Sequence, residues 1–288
     1  MSRNLILLFF AAGLGAGETY QTDVVYGQAG GVDLKMDIAF PADRSKPVPA
    51  VVCIHGGGWI EGNKKQFGAV AKAMAKSGFV AITIDYRLAP RFPMPAQVED
   101  AKCSVRYLRT HATELGIDPA HIGAVGGSAG GHLALMLGLS GSVPKLEGSG
   151  GNAEADSRVQ AVVNLSGPSN MSADAWDPRG IKSVYKASTD VTRAILFGPN
   201  ANADILVSFS PITYVDAHDP PVLTVHGSTD TVVPLAQSQR LHAKLLEVGV
   251  TEHLTVLDGV GHNIASGAVK GVCGEAIRFL QQHLLKPK

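Results

Sequence analysis

The sequence predicts an α/β fold: a mostly parallel central sheet with helices on both faces and an antiparallel hairpin at its N-terminal end. Three observations carry this. The segments "AVVCIHG", "FVAITIDYR", "HIGAVGGS", "VQAVVNLSG", "PVLTVHG" and "EHLTVLDG" are near-continuous apolar runs rich in β-branched residues, as strands covered on both faces require. Stretches of helical periodicity separate them, and strand–helix alternation means a parallel sheet. A chain of 288 residues with 45% hydrophobic composition is ample for such a core.

Taken in order, residues 1–17 open with Arg3 and Asn4, continue as the apolar run "LILLFFAAGL" and end on "GAG". Positive, apolar, then small is the order of a secretory signal peptide. Export to the periplasm or the medium is therefore expected, with an N-terminal core strand or anchor helix as the competing reading. No apolar run reaches the ~20 residues that span a bilayer, so no stable membrane insertion is expected after leader removal. Residues 18–288 are then expected to form one domain. "ETYQTDVVYG" and "VDLKMDIAF" alternate apolar and polar residues, the pattern of a half-exposed hairpin at a sheet edge.

Helices are predicted over 66–76, 97–110, 131–139, 235–247 and 269–284. The Gly-Ser-Gly stretch 147–151 reads as a flexible surface loop, because strand–helix alternation resumes directly after it. One irregular insertion, 168–212, scatters Trp176, Tyr185 and Phe197 among polar residues. It is either a lid over a pocket or a surface loop.

Lys plus Arg equals Asp plus Glu at 25 each, which leaves no basic excess for a polyanion, and no nucleic-acid partner is expected. The three cysteines are odd in number and lack CxxC or metal-ligand spacing. Cys53 falls in a strand, and Cys103 and Cys273 fall in helices; buried free thiols are favoured over a Cys103–Cys273 disulfide. The residues do not specify an oligomeric state.

The chemistry lies in two glycine clusters and two loops. "GGSAGG" holds G-x-S-x-G as Gly126-Gly127-Ser128-Ala129-Gly130, between an apolar strand and a helical run. That is the setting of a nucleophile elbow, where serine sits on a strained turn and glycines clear the neighbouring backbone. A serine hydroxyl needs a base and a group that orients the base. Among ten histidines, His262 in "DGVGHN" follows a strand, and Asp230 ends "VLTVHGSTD" after another. Ser128, Asp230 and His262 thus come in the chain order of an α/β-hydrolase, each past a different parallel strand, and such strands deliver their C-terminal ends to one sheet edge. Asp216 and Asp219 precede the strand, and Asp258 is too near His262 to occupy a separate loop. "HGGGW" ends an earlier strand, where backbone N–H groups of Gly57 and Gly58, with that of Ala129, can form an oxyanion hole. His55 is read as a brace of that loop. Trp59 is assigned to the substrate pocket, with a core position as the competing reading.

"HGGGW", "DYRLAP", "FPMPAQVEDAKCSVRYLR", "GIDPAHIGAVGGSAGGHLALML", "SPITYV", "PPVLTVHGSTDTVVP" and "GVGHN" together resemble the secreted bacterial carboxylesterases of the α/β-hydrolase superfamily. The similarity points to the feruloyl and acetylxylan esterase-like branch, related to the hormone-sensitive-lipase-like enzymes, and runs from about residue 50 to the end. It implies Ser128, Asp230 and His262 as triad, Gly57, Gly58 and Ala129 as oxyanion hole, no metal, no organic cofactor, and a small-molecule or polysaccharide-linked ester as substrate. Asp85, Arg87 and Asp100 read as a structural ion-pair group. Hormone-sensitive-lipase-like enzymes usually carry a helical cap ahead of HGGG, whereas after leader removal this chain is expected to have room only for the hairpin there. The expected reaction is hydrolysis of short-acyl or aromatic-acyl esters through an acyl-enzyme. The alternatives are a serine peptidase of prolyl-oligopeptidase type and a non-catalytic binding protein on the same scaffold.

Overall fold

A computed structural model of the chain describes residues 19–172, 190–198, 200–264 and 271–285. The leader expected over 1–17, and Trp176 and Tyr185 of the insertion, lie outside them. Strands β1 (Tyr20–Ala29) and β2 (Val32–Ala39) form the hairpin. Its two-residue turn is Gly30-Gly31, with φ of 58° and 75°, the geometry that suits the right-handed twist of paired strands and that glycine adopts at least cost.

The remaining strands are β3 (Val48–Ile54), β4 (Val80–Ile84), β5 (Ile117–Gly127), β6 (Ala161–Leu165), β7 (Val222–Gly227) and β8 (Glu252–Leu257). The sheet order is β1-β2-β4-β3-β5-β6-β7-β8. Hairpin strand β2 joins β4 antiparallel, and every pairing from β4 onward is parallel. The apolar runs become strands because both faces are covered. Ala50, Val52 and Ile54 point into one core, and Val51 and Cys53 into the other. Edge strand β8 has one neighbour and is half-exposed.

Helices α1 (Gly68–Lys76) and α8 (Val272–Leu284) pack on the Val51 face through Ala71, Met74, Ala276 and Leu280. On the other face lie α2 (Ala96–Thr110), the short α3 (Ala112–Leu115), α4 (Ala129–Leu139) and α7 (Leu235–Glu247). All eleven residues of α4 are buried, so it has no polar stripe and reads as a helix at the centre of a layer. It begins two residues earlier than the periodicity of 131–139 predicts. The segment 66–76 divides into a 3-10 turn, Lys64–Phe67, and α1.

The insertion contains α5 (Asp190–Phe197) and α6 (Ala203–Ser208) among its described residues. Phe197 is buried and packs against Phe209 at 5.5 Å, and the Leu196 carbonyl accepts the Met94 N–H at 2.8 Å. The three cysteines are free. Cys103 on α2 and Cys273 on α8 lie on opposite sides of the sheet, so the disulfide alternative does not form.

Buried charges tie the loops down. The stretch 147–151, expected to be a flexible loop, is anchored instead. Glu147 accepts from Lys102 and Arg106, each at 2.8 Å, and Arg106 also reaches the Gly151 carbonyl at 3.1 Å. Lys102 and Arg106 are themselves buried, and an unpaired charge there would be far costlier than ordering the loop. Asp85 pairs with Lys64 rather than Arg87, its carboxylate accepting the Lys64 N–H at 2.7 Å. The Lys64 ammonium also meets Asp23 and Asp37 at 3.0 Å each, which couples the hairpin to the chain just past "HGGGW". Arg87 bonds Asp100 through Nε at 3.0 Å and Nη2 at 2.8 Å, and its backbone N–H donates to the same carboxylate at 2.7 Å. Because Asp100 is 1% exposed, Asp100→Ala is expected to destabilise the protein by about 3 kcal/mol, leaving Arg87 without its principal partner. Urea unfolding at neutral pH measures this; a loss under about 1 kcal/mol, the range of an exposed pair, would contradict it.

Candidate active site

Strand β5 ends in the turn that carries Ser128. Its backbone stands at φ 54°, ψ −120°, a strained conformation for a residue with a Cβ, costing ~1–3 kcal/mol. Surrounding structure holds it there: its N–H donates to Leu165 O at 2.8 Å and its carbonyl accepts the His132 N–H at 3.0 Å. A Cβ on Gly126 would collide with the Gly130 carbonyl, and one on Gly130 with the carbonyls of Ile54 and His55. Those two glycines let α4 descend onto β5 and β3.

Asp230 follows β7, its side chain fully buried. One oxygen, Oδ1, accepts the N–H groups of Val232 at 2.8 Å and Val233 at 2.9 Å. The other, Oδ2, accepts from His262 Nδ1 at 2.7 Å and lies 3.2 Å from His226 Nε2. Burial by itself pushes this carboxyl up, but the hydrogen bonds from His226 and His262 outweigh it and hold Asp230 well below the usual carboxylate range.

His262 lies on the loop after β8, with Nε2 at 2.8 Å from Ser128 Oγ. Its tautomer follows from its partners. A carboxylate only accepts, so Nδ1 carries the hydrogen and bare Nε2 accepts from the serine hydroxyl. The loops after β7 and β8 are zipped together: Ser228 N–H reaches Leu257 O at 2.9 Å and Thr229 N–H reaches Val260 O at 3.0 Å. Asp258 is taken up by the Ser228 hydroxyl at 3.2 Å, and Asp216 and Asp219 close a local turn ahead of β7. The structure therefore brings together Ser128, Asp230 and His262, and leaves the rival acids outside the relay.

A cavity of about 630 Å³ opens over Ser128 and His262 and is lined by Gly56, Gly57 and Gly58. Phe67, Leu165 and Val232 supply its apolar wall; Glu61, Gln66 and Asn263 supply polar groups. Gly57 and Gly58 have φ of 108° and 57°, and the Gly57 carbonyl accepts the N–H groups of Ile60 and Glu61, both at 3.1 Å. This tight turn keeps side chains away from the serine. His55 braces it: the ring stacks on Tyr86 at 4.2 Å, Nδ1 bonds Gly56 O at 2.7 Å, and burial holds its pKa below the usual imidazole value. Ala129 opens α4 directly beside Ser128.

Trp59 requires a correction. It is 2% exposed, sits in the core edge-on to His132 at 5.1 Å, and is absent from the described cavity lining. Its backbone stands at φ 62° and its indole is part of the core on the α4 side of the sheet. None of the described residues of the insertion beyond 190 lines the cavity either. Three contributors escaped the sequence reading. Phe67 and Leu165 line the cavity from segments read as helix and buried strand, and His226 in "VHGSTD" bonds Asp230.

Residues 36–245 match the family model BD-FAE, a span that includes Ser128 and Asp230 and ends before His262. The chain is 31% identical over 228 residues to the probable carboxylic ester hydrolase LipM of Mycobacterium tuberculosis, covering 77% of this chain and 50% of LipM. With esterase LipC of the same organism it shares 30% identity over 249 residues, covering 83% and 59%. The chain thus spans about half the length of the curated relatives it matches. Among solved structures, a truncated carbohydrate esterase from gut microbiota superposes with a TM-score of 0.80 at 28% identity, covering 93% of this chain and 97% of that one. The propionate-bound esterase Est2 of Thermogutta terrifontis superposes at 0.78 and 28%, covering 94% and 97%. With the sheet order, the strand-ending loops and this family match in hand, the chain is a member of the BD-FAE family built on the α/β-hydrolase fold.

Proposed function

We propose that this protein is a serine carboxylic ester hydrolase. The observation that carries the reading is the unbroken relay from Ser128 Oγ through His262 to Asp230, at 2.8 and 2.7 Å, opening on a glycine-lined cavity. His262 takes the hydroxyl proton as Ser128 attacks the ester carbonyl, and Asp230 stabilises the imidazolium that results. Backbone N–H groups of Gly57, Gly58 and Ala129 hold the oxyanion, each donor contributing ~3 kcal/mol. His262 then protonates the departing alkoxide and activates water against the acyl-enzyme, which restores Ser128 and releases the acid.

Short-acyl and aromatic-acyl esters are the proposed substrates, including acyl groups carried on plant polysaccharide. The cavity volume lies in the range of small-molecule sites, and Phe67, Leu165 and Val232 offer an acyl group apolar contact. Similarity to a carbohydrate esterase and to a propionate-bound esterase supports the same reading. The leader-like order of residues 1–17 supports export to the periplasm or the medium.

Ser128→Ala is expected to lower kcat on p-nitrophenyl acetate by at least ~10⁴-fold with the fold intact. Turnover near that of the unmodified protein would refute the assignment. Asp230→Asn is expected to cost ~10⁴-fold in kcat by removing the acceptor that sets the His262 tautomer. It also tests linkage. A carboxyl held below its unfolded value stabilises the fold above about pH 4, and this contribution fades as pH falls toward the folded value. The decline in unfolding free energy from about pH 4 downward should therefore be shallower in Asp230→Asn; parallel declines would contradict the shift.

A further inference from the structure

His226 is the penultimate residue of β7, just ahead of the acid loop, and is fully buried. Each of its ring nitrogens is engaged. Nδ1 meets the Ser238 hydroxyl on α7 at 2.7 Å, and Nε2 meets Val233 O at 2.9 Å and Asp230 Oδ2 at 3.2 Å. A carbonyl and a carboxylate are acceptors only, so the hydrogen resides on Nε2, where it bonds Val233 O and lies beside Asp230 Oδ2. The Ser238 hydroxyl, which can donate or accept, completes the other side.

The consequence for Asp230 is a full set of donors. Oδ1 holds two backbone N–H groups, and Oδ2 lies between two imidazoles, His262 on the cavity side and His226 on the core side. A phenyl ring would fill the same volume, so packing alone does not account for an imidazole here. Burying a ring with two polar nitrogens is costly unless both are matched. Here Nε2 is matched by Val233 O of the acid loop, beside the oxygen that receives His262.

We propose that His226 is a positioning residue for the relay: its Nε2–H, bonded to Val233 O and 3.2 Å from Asp230 Oδ2, holds the acid loop so that Oδ2 stays aimed at His262 Nδ1, with Ser238 fixing the ring from behind. This rests on the reading of Ser128, His262 and Asp230 as a hydrolytic triad. It assigns His226 no contact with substrate. Misaim of the acid lowers the rate of proton transfer without altering the cavity, so the effect falls on kcat and spares KM.

The test compares His226→Phe, His226→Gln and Ser238→Ala in the full chain by three measurements: kcat and KM on p-nitrophenyl acetate, thermal unfolding, and the far-downfield proton resonance of His262 Nδ1–H. His226→Phe is expected to lower kcat by ~10- to 100-fold with KM within about twofold, and to broaden or abolish that resonance. His226→Gln, whose amide can still donate, is expected to recover most of the rate and the resonance. Ser238→Ala should show a smaller loss of the same kind; if His226→Phe fails to fold, the glutamine and alanine variants decide. Unchanged kcat and an unchanged resonance in His226→Phe would overturn the proposal, as would a glutamine variant no better than phenylalanine at equal stability. Turnover that survives Ser128→Ala would sink the hydrolase reading, while the resonance would still report whether His226 holds Asp230.

Discussion

Gly130 lies against the carbonyls of Ile54 and His55 with no room for a methyl group, and this close approach of α4 to the end of β3 fixes the site. It sets the separation between the serine turn and the glycine loop, which line one cavity together. The strain at Ser128 is tolerated because the turn is gripped from β6 through Leu165 O and from its own helix through His132. Parallel strands supply the rest: β5, β7 and β8 end at the same edge, so residues more than a hundred positions apart meet without any long loop reaching across.

Buried charge sets the loops around that edge. Lys64 gathers Asp23, Asp37 and Asp85, so the antiparallel hairpin supports the segment that follows the glycine loop. Arg87 and Asp100 secure the chain after β4 to α2, and Lys102 and Arg106 draw in Glu147 from the loop after α4. Such clusters add little net stability against well-packed apolar groups, but breaking one leaves a charge without solvent. They specify where loops go, and the loops carry the site.

The strands and the relay were legible because their signals are local and coincide. Apolar runs ending in glycine mark strand ends, and Ser128, Asp230 and His262 each sit just past one. What escaped depends on directions and distant partners. Trp59 follows three glycines, and only the path of the folded chain places its indole in the core. Lys102 and Arg106 look like a solvated helix face until Glu147, over forty residues away, is brought onto them. His226 reads as one more buried strand residue, since nothing local reveals that the acid loop folds back onto its Nε2. Phe67 and Leu165 reach the cavity for the same reason: sequence marks the element, not the face it presents.

In the proposed reaction Ser128 Oγ becomes covalently bonded to the acyl group during turnover. Rapid acid quench of the protein mixed with excess p-nitrophenyl butyrate, followed by intact mass and peptide mapping, tests this directly. A butyryl adduct on the Ser128 peptide that forms within the first turnover and decays as ester is exhausted is the predicted result. Ester turnover with the adduct on another residue, or with no adduct when water attack is slower than acylation, would contradict it.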